Sequence, residues 1–126
     1  MSLEIDKLLI ERLFEQAKES PRLRMNYDLR TSSADTSQRM LNALLPGTEV
    51  PIHRHESTAE TVVCLCGRLE ELIYKEMPDG TFQEVSRHLL CPVEGMYGIQ
   101  IPAGVWHTIC VLEPSVIFEA KDGAYK

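Results

Sequence analysis

The chain has 126 residues, 44% of them hydrophobic and 25% charged, with a formal net charge of −6. That length suits one domain around one core. The acidic balance, with no Lys/Arg cluster, excludes nucleic acid as the expected partner, and no run approaches the roughly 20 apolar residues of a membrane span. The opening stretch MSLEIDKLLIERLFEQ carries Glu4 and Asp6 where a secretory signal would be basic, and it has no small-residue cleavage site. A cytoplasmic protein is therefore expected. Cys64, Cys66, Cys91 and Cys110 form no C-x-x-C pair, which disfavours a zinc ribbon or a thioredoxin-like motif. They are expected to be reduced thiols that pack as small hydrophobes.

Residues 2–19 are predicted to form a helix, capped by Ser2, with Glu4 and Asp6 at its positive end and Pro21 just beyond Ser20. Ile5, Leu8, Leu9, Leu13 and Ala17 fall at helical spacing, so one apolar stripe should pack on the outside of a larger body. The next stretch, SPRLRMNYDLRTSSADTSQ, is polar and irregular, with room for one short strand. Residues 1–37 thus read as a helix and a connecting segment, and residues 38–126 as a β-rich body.

From residue 39 onward, short runs rich in β-branched, aromatic and apolar residues alternate with turn chemistry: Pro46-Gly47, Pro78-Asp79-Gly80, Cys91-Pro92, Glu94-Gly95, Ala103-Gly104 and Glu113-Pro114. Many short strands at regular spacing predict an all-β antiparallel sandwich or barrel. MPDGT is the clearest hairpin, with Gly80 free to take positive φ.

Two of the four histidines, His53 and His55, are two residues apart. On a strand, such residues point to one face, with Arg54 pointing away. Glu60 opens the next predicted strand and shares its face with Val62, Cys64 and Cys66 by alternation. Burying two imidazoles and a carboxylate without partners is costly. One divalent transition ion would satisfy all three, and the donor set suits Fe, Mn, Ni, Co, Cu or Zn.

The stretch GTEVPIHRHESTAETVVCLCG resembles the first signature of the cupin superfamily, G-x5-H-x-H-x3,4-E-x6-G, at Gly47, His53, His55, Glu60 and Gly67. GMYGIQIPAGVWHTICV resembles the second, through Gly95, Pro102, Gly104 and His107. Gly95 is one residue further from the proline than the pattern asks, and Val111 stands where the family often has asparagine. The resemblance implies a single-domain cupin, a jelly-roll-like antiparallel β-barrel with the N-terminal helix outside. It also implies one metal ion held by His53, His55, Glu60 and His107, with two coordination positions open to water, substrate or dioxygen. SPRLR, QRMLNALLPGT, PIHRH, ETVVCLCGRLEELIY, IPAGVWHTI and VIFEAKDGAY resemble the WbuC type of cupin-fold metalloprotein, often associated with surface-polysaccharide gene clusters. Homodimers are common among cupins, so a homodimer is expected.

Other residues have two readings each. Arg22, Arg24 and Asn26 are either solvated or line a pocket mouth for an anionic group, and Arg39 invites the same pair of readings. Gln100 is a candidate donor to a metal ligand, Cys64 a candidate pocket wall, and Lys121 and Tyr125 belong to a tail that either covers the barrel mouth or frays. His88 reads as a surface or hydrogen-bonded histidine, and Trp106 as packing under the helix or at a dimer contact. No general base stands out, because spacing shows no second inward acid or tyrosine. Two functions follow. One is a metal-dependent enzyme, an oxidoreductase or isomerase, acting on a small polar metabolite such as a sugar derivative or oxo-acid. The other is a non-catalytic module that binds or senses such a molecule in the same pocket.

Overall fold

The computed structural model describes residues 2–123. Helix α1 spans Lys7–Glu19, shorter than the sequence predicts. Its cap is Asp6 rather than Ser2: the Asp6 carboxylate accepts a hydrogen bond from Leu9 N at 2.9 Å. The predicted stripe narrows accordingly. Leu9, Leu13 and Ala17 are buried, whereas Ile5 precedes the helix and Leu8 faces solvent.

Six strands follow among the described residues: β1 (Arg24–Asp28), β2 (Ser37–Leu44), β3 (Glu60–Glu76), β4 (Phe82–Leu90), β5 (Gly98–Ile101) and β6 (Trp106–Asp122). All pairings are antiparallel, in the order β1-β2-β6-β3-β4, and β5 also pairs with β3. β3 pairs along one edge with β6 and along the other with β5 and then β4. The fold is the expected all-β one, although the hydrogen-bonded path does not close.

The expected break at Glu113-Pro114 is bridged, and Gly67 does not interrupt its strand either. The β3–β6 register shifts at Cys64/Cys66, Cys66/Arg68 and Arg68/Leu69, so the irregularity is absorbed as bulges. Gly67 has φ +100, and a Cβ there would come within 2.3 Å of Pro114 O. Ser115 Oγ accepts from Arg68 N at 2.9 Å and donates to Glu113 O at 2.7 Å, satisfying groups that the bulge takes out of the ladder. The shift also turns Cys66 away from the Glu60 face, against simple alternation. The MPDGT hairpin forms as predicted, with Met77 N donating to Thr81 O at 2.7 Å and Gly80 at φ +85.

The sheet separates two apolar clusters. Leu44, Val62, Cys64, Leu69, Leu90, Ile101, Val111 and Ile117 fill its inner face. Leu41, Ala43, Leu45 and Val116 meet Leu9, Leu13 and Ala17 of the helix on the outer face. Burying each of those leucines contributes about 2 kcal/mol, and this holds the helix on β1 and β2. Trp106 is not under the helix. It packs on Phe82, with ring centroids 4.9 Å apart, and under the Arg54 guanidinium at 4.5 Å. No helix among the described residues is long and apolar enough to cross a membrane.

Candidate metal centre

The predicted strand around His53 and His55 is an extended segment held by a single bridge. Pro51 supplies no N–H, and the segment is pinned where it can be. His53 N donates to His107 O at 3.0 Å, His107 N donates to His53 O at 2.8 Å, and Gly104 N donates to His55 O at 2.8 Å. Thr108 Oγ1 donates to Val50 O at 2.5 Å. The second signature therefore positions the first: the Ala103-Gly104 turn and the start of β6 fix the two histidines beside His107.

One ligand atom from each of His53, His55 and His107 lies within 4.8 Å of the others. The ring centroids are 4.3 Å apart for His53 and His107, 5.4 Å for His53 and His55, and 5.9 Å for His55 and His107. Backbone carbonyls set two of the tautomers. His53 Nδ1 lies 2.8 Å from Pro51 O and His107 Nδ1 lies 3.0 Å from Val105 O. A carbonyl only accepts, so each Nδ1 carries the proton and each Nε2 presents a lone pair. Metal-bound histidines are oriented by such partners. Buried His107 Nε2 meets no hydrogen-bond partner among the described residues. That orphaned lone pair, beside two more imidazoles, is what a metal ion would satisfy.

Glu60 is buried at 3% exposure, and its Oε2 lies 2.7 Å from His55 Nε2. Burial lowers the His55 and His107 pKa values more than the nearby Glu60 raises them, which keeps lone pairs available to a cation. The four predicted metal ligands are thus brought together, three as a tight cluster and Glu60 through His55.

Two acids that spacing did not reveal are near them. Glu119 lies opposite Val62 in the β3–β6 register and hydrogen-bonds with Glu60 and Asn42. Burial first, then Glu60, pushes its pKa up to about 8. Glu71 is 2% exposed, and burial followed by Glu60 and Glu119 raises its pKa well above the ordinary range. In sequence Glu70 and Glu71 are adjacent, so one acid had to face inward. Only the register, which places Glu71 opposite Ile109 and its neighbour Ile73 opposite His107, says which.

The remaining candidates separate. Lys121 pairs with Glu60 in register, on the inner face, and its Nζ donates to Gly123 O at 2.5 Å. Cys64 lines the inner core, where its thiol donates to Cys66 O at 3.2 Å and burial pushes its pKa up to about 11. It is a wall, not a thiolate ligand. Gln100 is exposed and pairs with Thr61, because alternation gives the inner face to Ile99 and Ile101. Arg39 also faces away, since its neighbours Gln38 and Met40 take the inner positions. Its Nη2 is committed to Asp35 at 2.8 Å. Arg24 binds Glu49 O at 2.8 Å and lines a groove with Arg22 and Pro51. Asn26 is exposed on edge strand β1, opposite Asn42. Tyr125 lies outside the described residues. His88 is exposed and its Nε2 lies 3.0 Å from Ser86 Oγ. Val111, where the second signature often has asparagine, packs in the inner core opposite Leu69.

Comparison with known proteins agrees with this architecture. The fold is similar to that of an oxalate oxidase in complex with the substrate analogue glycolate, with a TM-score of 0.62, 13% identity and coverage of 82% of this chain and 53% of that one. It is similar to the Cnp3 cupin domain of Schizosaccharomyces pombe, with a TM-score of 0.55, 12% identity and coverage of 80% and 65%. It is also similar to YcfD, a ribosomal oxygenase from Escherichia coli in complex with cobalt and succinic acid, with a TM-score of 0.58, 18% identity and coverage of 93% and 28%. The chain spans about half the length of the oxalate oxidase and under a third of YcfD. These likenesses establish a cupin fold. No curated protein matches the chain in sequence. Residues 5–86 match the family described as a domain of unknown function, DUF6016, and the chain belongs to that family.

Proposed function

We propose that this protein is a mononuclear metal-binding cupin in which His53, His55, His107 and Glu60 hold one divalent transition ion. We further propose that it is an enzyme acting on a small polar metabolite such as a sugar derivative or oxo-acid. The observation that carries the reading is the convergence of three imidazoles, one ligand atom of each within 4.8 Å of the others, two of them with Nδ1 tied to a carbonyl. When bound, the ion supplies Lewis-acid polarisation of a ligand oxygen. The chain's own groups do the rest. The Pro51 and Val105 carbonyls orient two imidazoles, and the inner apolar wall around Val62 and Ile101 limits water. Two acids beside Glu60, Glu71 and Glu119, are groups able to hold protons. They favour an enzyme over a passive binding module, since proton transfer needs such partners. The apolar inner wall favours the module, which would show saturable binding without turnover.

With this reading we place the protein in the WbuC type, as a cytoplasmic homodimer. Four free thiols suit a reducing compartment. The open sheet leaves edge strands β1 and β4, the latter with Val85 63% exposed, as surfaces for a second copy to cover.

Elemental analysis of untagged protein tests the metal site. Wild type should carry about one equivalent of a transition metal, and His107→Ala and Glu60→Ala far less. A metal-free wild type that takes up no ion on reconstitution would defeat the proposal.

A further inference from the structure

We propose that Glu71 is a ligand-contacting acid of this site, turned toward whatever occupies the histidine cluster and donating a hydrogen bond to it. The inference rests on the metal-binding reading above and adds a residue that neither cupin signature contains.

Register fixes its direction. Ile73 stands opposite His107 and Glu71 opposite Ile109, so Glu71 and His107 are diagonal neighbours on one face. Such neighbours lie roughly 7–8 Å apart at Cα, within reach of a long side chain. The flanking pair Leu69 and Val111 belongs to the inner core, which identifies that face as the inner one. Glu71 is only 2% exposed, and its Oε2 meets no hydrogen-bond partner among the described residues. A carboxyl so placed costs stability, and an apolar residue of similar volume would serve the core better. Residues that burden a fold in this way concentrate at functional sites.

Burial raises the Glu71 pKa well above the ordinary carboxylate range, and Glu60 from the same strand and Glu119 from β6 add to that. His107 from β6 has its own Nδ1 proton committed to Val105 O. His88 from β4 is directly opposite Glu71 in register but is exposed and bonded to Ser86. A neutral carboxyl has one O–H to donate. If the bound molecule gains negative charge on an oxygen, that proton crosses to it: the Glu71 O–H bond breaks, the new O–H bond forms, and Glu71 becomes a carboxylate until water returns a proton.

The test uses the full chain loaded with cobalt(II), with azide as the probe. Cobalt content is measured first, by elemental analysis, in wild type, Glu71→Gln and Glu71→Leu. Infrared difference spectra at neutral pH should then show a protonated-carboxyl carbonyl band in wild type that Glu71→Gln lacks. That band should shift when azide binds. Azide affinity, followed by cobalt absorption, should fall about tenfold in Glu71→Leu while cobalt content stays at the wild-type level. A purely structural acid would leave the azide affinity unchanged. The inference is overturned if no band is assignable to Glu71, if azide leaves the band unmoved in cobalt-loaded protein, or if Glu71→Leu binds azide as wild type does. A wild type that takes up no cobalt would overturn the metal reading and this inference with it, and the elemental analysis recognises that case before any spectrum is compared.

Discussion

Replacing Gly67 by alanine should be among the most damaging single-methyl changes in this chain. The added Cβ would come within 2.3 Å of Pro114 O and of Ser115 Oγ, and within 2.6 Å of Ser115 Cα. Two of those three atoms are backbone, and Ser115 is fully buried, so neither strand has room to yield. The backbone at φ +100 adds about 1–2 kcal/mol for a residue with a Cβ. Overpacking adds about 1–3 kcal/mol. Displacing Ser115 Oγ also weakens its bonds to Arg68 N and Glu113 O, at about 1 kcal/mol. The sum is about 3–6 kcal/mol, a large share of the stability of a domain this size. At roughly 3–5 °C per kcal/mol, the melting temperature should drop by about 10–30 °C. Thermal unfolding of metal-free protein, followed by far-ultraviolet circular dichroism, measures this without interference from ligand binding. Gly80→Ala is the control: its φ of +85 carries the same backbone penalty, but no atom lies within 4 Å of the new Cβ. If the two variants melt alike, the close β3–β6 approach at Gly67 is not what the glycine serves.

Three further outcomes are expected. Asp6→Ala removes the acceptor for Leu9 N and should cost about 1 kcal/mol, read as a lower urea midpoint; an unchanged midpoint would refute the cap. Thr108→Val leaves Val50 O without its buried donor. It should cost about 1–2 kcal/mol and speed the loss of cobalt to a chelator, because Thr108 ties down the segment carrying His53; unaltered cobalt retention would refute that tie. Glu119→Gln tests the buried acid by pH. In the folded protein the Glu119 pKa is raised from 4.5 to about 8, so the native state keeps a proton that the unfolded state releases. The acid's contribution is therefore most favourable below 4.5 and is lost as pH rises toward about 8, at no more than about 1.4 kcal/mol per pH unit. Urea titrations of metal-free protein at about pH 5 and about pH 8 should show wild type losing ground to Glu119→Gln at the higher pH. A stability gap independent of pH would contradict the shift.

The candidate metal ligands were legible in the sequence because their spacing is local. His53, His55 and Glu60 lie within one short stretch, and Pro102, Gly104 and His107 within another, so each half of the site is a fixed-distance pattern that needs no tertiary information. The antiparallel β class was legible for a similar reason, since turn residues punctuate apolar runs. Strand continuity was not. Gly67 and Pro114 look like breaks, but they face each other across β3 and β6, and each absorbs the irregularity of the other. The helix start was misplaced because Ser2 and Asp6 are both competent caps, and burial of Leu9, Leu13 and Ala17 against β2 selected the later one. Gln100 and Arg39 turned outward because a strand's facing depends on which alternate side chains the core takes.

What the sequence by itself determined, then, is the candidate donor set and the class of fold, both functions of nearest neighbours along the chain. What only the tertiary structure decided is the company the donors keep. Glu71 and Glu119 join Glu60 through strand register, a relation between residues far apart in sequence, and a one-residue slip would have sent both acids to the opposite face.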